Sequence, residues 1–130
     1  MVLGERSQKN LVGVHPDLVR VIHRASILGQ LQFVVTEGVR SYARQKQLVA
    51  EGKSRTLHSR HLTGHAVDLA VLVDGKVVWD LQHYRELADQ VKDAAELEGV
   101  RIEWGGEAFG PKFIDGPHFQ LPRSFYPDGD

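Results

Sequence analysis

Eight residues, Ala66-Val67-Asp68-Leu69-Ala70-Val71-Leu72-Val73, constrain this chain more than any other stretch. On a strand, Val67, Leu69, Val71 and Val73 share one face, and Ala66, Asp68 and Ala70 share the other. The bulky apolar face has to be buried in a core. The small-residue face leaves room beside Asp68, the only charge in the run. The run ends at Asp74-Gly75, a strong two-residue hairpin signal, so Lys76–Trp79 is expected to return as a second strand.

The approach to this strand is rich in imidazole. His58, His61 and His65 precede Asp68 at spacings that would line one face of a helix. Gly64, the β-branched Thr63 and Val67, and the alternation that follows argue instead for a loop running into a strand. His61 then lies in the loop and Asp68 on the strand, and Gly64 permits a sharp turn that aims both at one point. Further along, Asp115-Gly116-Pro117-His118 offers another imidazole with a carboxylate three residues ahead of it. Two His and one Asp can hold zinc with a position left for water. Asp115, brought round by the Gly-Pro turn, is the candidate base for that water. A solvated His-rich loop and an ordinary turn aspartate would have the same spacing, so spacing alone leaves both readings open.

The flanking elements follow from periodicity and punctuation. Residues 1–14 read as a leading segment. His15-Pro16-Asp17 opens a helix with Leu18, Val21, Ile22, Ala25 and Leu28 along one face, stopped at Gly29. Gln32–Thr36 reads as a strand and Glu37–Ser41 as a turn. Ser41 caps a helix over about 42–51, and 52–58 is a loop. Tyr84–Leu97 is the clearest helix, ended by Gly99. Val100–Trp104 is expected as a strand, broken by Gly105-Gly106. His118–Leu121 is expected as a last strand, with a polar tail bearing Pro122, Pro127 and Gly129. The expected architecture is α+β, one domain over 1–130, with a small, mostly antiparallel sheet and flanking helices.

Composition removes several classes. The chain has 130 residues, no Cys and a formal net charge of −1. Without Cys, a metal must be held by His, Asp or Glu. The charge balance gives no reason to expect a nucleic-acid partner. No apolar run approaches the roughly 20 residues that span a bilayer, so no membrane partner is expected. Met1–Asn10 lacks a signal-peptide core, so synthesis in a cytoplasm is expected.

Ser59-x-His61-x-x-Gly64-x-Ala66-x-Asp68 with Asp115-x-x-His118 resembles the signature of the D-Ala-D-Ala carboxypeptidase/VanY-like zinc peptidases. Within that group the chain is most similar to the short phage endolysins that cleave the L-alanyl-D-glutamate bond of peptidoglycan. The likeness also takes in Glu37-Gly38-Val39-Arg40-Ser41 with Gln45, and Trp104-Gly105-Gly106. It implies a hedgehog/DD-peptidase-like fold, with Zn2+ held by His61, Asp68 and His118 and Asp115 as catalytic base. It places Arg40 on a substrate carboxylate or the developing oxyanion, with Ser59 and Gln45 also on the substrate side. Aspartate rather than glutamate as base points to the endopeptidase branch. The implied partner is the peptidoglycan stem peptide, met by a monomer in the periplasm after holin-type release. A D,D- or L,D-carboxypeptidase and a non-catalytic zinc-binding wall module are the alternatives. The family often has an aromatic residue two positions after Gly-Gly. Here Ala108 stands there, with Phe109 next to it. His65 is a variable position and is not expected to be a ligand. His15, His23 and His83 read as surface or packing residues, and Trp104 as core or groove wall.

Overall fold

A computed structural model describes residues 3–127 of the chain; Gly129 and the first two residues of the leading segment lie outside them. The central strand is β2, Ala66–Val73. Along one side it pairs with β1, Gln32–Glu37. Two short strands share its other side. β3, Lys76–Val78, returns through the Asp74-Gly75 hairpin and pairs with Val71–Val73. β5, His118–Gln120, pairs with Ala66–Asp68, which sets His118 opposite Asp68. β4, Glu103–Trp104, pairs with β5. Every pairing is antiparallel, and the architecture is α+β.

Two helices cover the bulky face of β2. α2, Pro16–Leu28, starts at His15, whose Nδ1 accepts from the Asp17 backbone N–H, and stops at Gly29. α4, Leu81–Glu98, is capped by Asp80 and stops at Gly99. Leu18, Val21, Ile22 and Ala25 of α2 and Leu87, Val91, Ala94 and Ala95 of α4 share one core with Val67, Leu69 and Val71. This is the outcome that period-two and period-3.6 patterns demand when their apolar sides meet. α3, Tyr42–Ala50, is capped by the Ser41 hydroxyl and buries Gln45 and Leu48. Ala66 and Ala70 are fully buried, while Asp68 between them is half-buried.

The structure departs from the sequence reading at several places. The leading segment contains a short helix, α1 (Glu5–Asn10), and Leu3, Leu11 and Val14 join the core. α1 is tied to β1: Ser7 Oγ accepts from the Val35 N–H, and Asn10 Nδ2 donates to the Val35 carbonyl. The expected strand over 100–104 is reduced to Glu103–Trp104, because β5 offers so short an edge. α4 begins three residues before Tyr84, at the Asp80 cap, and β3 stops at Val78. The motif loop is not irregular: Arg60–Thr63 forms one 3-10 turn, closed by Gly64 at φ 76°. Finally, the β1–β2 register shifts between Val35 and Glu37, a local bulge that sets Glu37 opposite Asp68.

Candidate metal centre and active site

His61, Asp68 and His118 converge from three pieces of chain. His61 sits in the 3-10 turn, where Ser59 Oγ accepts from its backbone N–H. Asp68 is on β2 and His118 on β5. One ligand atom from each lies within 4.8 Å of the others, the one such group among the described residues. Asp68 Oδ1 is 3.2 Å from His61 Nε2 and 3.4 Å from His118 Nδ1.

Neighbouring acceptors fix both imidazole tautomers. His61 Nδ1–H donates to the Gly38 carbonyl at 2.8 Å, so Nε2 is the nitrogen left for a cation. His118 Nε2–H donates to Gln120 Oε1 at 2.7 Å, which turns Nδ1 inward. Gln120 is oriented in turn, its Nε2 donating to Glu103 Oε1. The sequence reading missed Gln120 and Gly38. Gln120 left a signal, since it follows His118 by two on a strand and so shares its face. The Gly38 carbonyl left none, because a backbone acceptor has no residue identity.

Burial works to raise the Asp68 carboxyl. Hydrogen bonds from His118 and His61 and the charges of both rings outweigh it and hold Asp68 far below the ordinary carboxylate range. Burial likewise works to lower His118, but its hydrogen bond and charge interaction with Asp68 raise it. Two inward imidazole nitrogens and one ionised carboxylate are the donor set that suits a divalent zinc-like ion.

Asp115 lines the same groove and behaves in the opposite way. Burial raises its carboxyl and the Asp68 charge adds to this, while His118, His61 and Arg40 pull it down; the net shift is upward. Its turn is built by backbone bonds. Asp115 N–H donates to the Gly105 carbonyl, Gly105 N–H to the His118 carbonyl, and His118 N–H to the Asp115 carbonyl. A Cβ on Gly105 would stand 2.3 Å from the Asp115 carbonyl oxygen and 2.8 Å from His118 Cβ, so this close approach requires glycine. Trp104 is buried and its indole N–H donates to the Gly116 carbonyl at 2.7 Å.

Arg40 is buried at the groove floor. Its Nη1 donates to Gln45 Oε1, and its Nη2 to Glu37 Oε1 at 2.6 Å, with Asp68 Oδ2 at 3.5 Å. Gln45 is fully buried and spends its amide on Arg40, Ser54 and the Thr56 carbonyl, so it supports Arg40 and does not itself face the groove. Ser59 lines the groove. His65 lies outside the metal group, hydrogen-bonded to Thr63 and packed beside His15. Phe109 lines the groove, its ring 5.4 Å from that of His118. The groove encloses about 850 Å³.

The sequence model for the phage L-alanyl-D-glutamate peptidases matches residues 1–121. The chain belongs to that family. One relative in it, the L-alanyl-D-glutamate peptidase of Escherichia phage T5, is 32% identical over 108 residues, spanning 80% of this chain and 79% of the phage protein. The peptidoglycan L-alanyl-D-glutamate endopeptidase CwlK of Bacillus subtilis is 28% identical over 104 residues, with 61% of its own length covered. Among solved structures, the L-Ala D-Glu endopeptidase ChiX of Serratia marcescens superposes with a TM-score of 0.90. It is 49% identical, covering 98% of this chain and 94% of that one. Membership extends over both halves of the site, since 1–121 includes His61, Asp68, Asp115 and His118.

Proposed function

We propose that the protein is a zinc-dependent endopeptidase that hydrolyses the L-Ala–D-Glu amide of peptidoglycan stem peptides. One observation carries the reading: three candidate metal donors, two of them imidazoles with fixed tautomers, converge beside Asp115, a half-buried carboxyl whose pKa is raised. The names of the family and of its relatives supply the bond and the polymer.

When bound by His61, Asp68 and His118, zinc supplies Lewis acidity to the scissile carbonyl and to the attacking water. Asp115 takes the proton from that water and delivers it to the departing amine. Its raised pKa makes it the stronger base for the first of these transfers. Arg40, held by Glu37 and Gln45, places a fixed positive charge beside the metal group and steadies negative charge developing on the carbonyl oxygen. Ser59 holds the His61 turn from the groove side. We assign the protein a lytic role on the bacterial wall, as a monomer. Among the described residues, no helix is long and apolar enough to cross a membrane.

Digestion of purified sacculi followed by mass spectrometry tests the reading. New N-terminal D-glutamate on the products is expected. Release of terminal D-alanine alone would replace the endopeptidase with a carboxypeptidase. Metal analysis of protein purified without chelators is expected to give one zinc per chain, and no bound metal would overturn the site assignment.

A further inference from the structure

The groove is electrically lopsided. Across the whole chain, Lys and Arg number 16 against 17 Asp and Glu. Among the groove-lining residues, however, six are Lys or Arg and three are Asp or Glu. The three acids are Glu37, Asp68 and Asp115, all at or beside the metal floor. The charged rim residues that line the groove are Lys and Arg, with Lys53 paired to Glu51 at 3.3 Å just beside it. Part of that charge is structural: Arg40 is held by Glu37 and Gln45, and Arg60 Nη2 donates to the Leu121 and Tyr126 carbonyls.

Arg55 stands apart from these. It is exposed in the loop after α3, and its guanidinium lies over the Phe113 ring, 5.2 Å from the centroid. Phe113 belongs to the opposite wall, the loop after β4. The contact therefore reaches from one wall of the groove to the other. Phe113 packs on Phe109, and Phe109 on His118, so an aromatic series connects Arg55 to the metal group. A ring beside a guanidinium attracts the cation through its π-face and uses none of the N–H donors in a hydrogen bond. The guanidinium keeps its two-pronged donor set while the ring contact restrains the side chain, so binding a planar anion costs less side-chain entropy than it would for a mobile arginine.

The proposed substrate presents such an anion. D-glutamate is a dicarboxylic acid. When its amine is tied up in the scissile amide and one carboxyl continues the stem, the other remains a free carboxylate a few bonds from the scissile nitrogen. We infer that Arg55, seated on Phe113, forms a carboxylate-recognising subsite for the leaving, glutamyl side of the substrate, with Lys53 and Arg44 adding field on the same rim. This rests on the proposed L-Ala–D-Glu activity and adds to it a means of choosing between acidic and amidated stems.

The test uses the zinc-loaded protein and two peptides, identical except that the free glutamyl carboxylate of one is a primary amide in the other. Arg55→Gln is expected to lower kcat/KM on the acid peptide by roughly five- to tenfold, through KM, and to leave the amide peptide unchanged. Phe113→Leu, which removes the ring but keeps an apolar side chain, is expected to produce a smaller loss on the acid peptide alone. The preference of the unmodified protein for the acid peptide is expected to shrink as salt rises, because the site is exposed. Equal losses on both peptides, or no loss on either, overturn the subsite and leave the proposed activity standing. If the unmodified protein cleaves neither peptide, the underlying activity falls, and the subsite falls with it.

Discussion

Asp115 and Gln120 act on the site through single groups, and each gives a separable prediction. Burial and the neighbouring Asp68 charge disfavour ionised Asp115. A carboxyl whose folded pKa lies above its unfolded value costs stability while ionised. That cost is present above the folded pKa and disappears as pH falls through it toward the unfolded value. In metal-free protein, Asp115→Asn is therefore expected to raise the urea midpoint at pH 7, and the gain is expected to vanish below the ordinary carboxylate range. The same variant is expected to lose about 10²–10⁴-fold in kcat while still binding zinc. Retention of full activity would remove Asp115 from the mechanism. For Gln120 the readout is affinity. Gln120→Leu takes away the acceptor that turns His118 Nδ1 inward, and zinc affinity measured against a competing chelator is expected to fall about 10- to 100-fold. An unchanged affinity would mean that packing alone orients His118.

At the level of elements, the turn that carries Asp115 depends on β4 as much as on its own residues. Gly105 exchanges backbone bonds with Asp115 and His118, and Trp104 holds the Gly116 carbonyl. Gly105→Ala is expected to abolish activity and weaken metal binding, while the α2–α4 core, remote from the clash, keeps its helical circular dichroism. A wild-type rate in this variant would show that the turn tolerates displacement. Trp104→Phe is the milder probe. It keeps an aromatic in the core but leaves the Gly116 carbonyl without its donor, so kcat is expected to fall more than thermal stability. Much of this layout was legible in the chain. The alternation of 66–73 marked the central strand, and the two motifs marked which residues meet, because side-chain type and period-two spacing are local properties. The rest depends on partners. Nothing periodic marks α1, and the buried Leu3, Leu11 and Val14 that flank it take their places only when β1 is present to pack on. Val100–Ile102 have strand character but find no edge long enough to pair with. The bulge that sets Glu37 opposite Asp68 is a register event between two strands and has no signature in either one.

For the molecule as a whole, the proposed metal site would work as a clasp. His61, Asp68 and His118 belong to the 3-10 turn, to β2 and to β5, and β5 pairs with only three residues of β2. In the metal-free state these pieces are held by a short ladder and by one carboxylate between two imidazoles. A cation that binds all three favours the folded chain by RT ln(1 + [L]/Kd), about 4 kcal/mol when free zinc stands at a thousand times its Kd. For a chain of this size that corresponds to a rise in Tm of roughly 10–20 °C. Thermal melts with zinc and with a strong chelator are expected to differ by this order. His118→Ala should bring the two melts together, because it deletes a ligand without touching the α2–α4 core. If chelation left the wild-type Tm unchanged while activity disappeared, the ion would be serving chemistry alone. The pairing of β5 with β2 would then have to be sufficient by itself to hold Asp68 and His118 face to face.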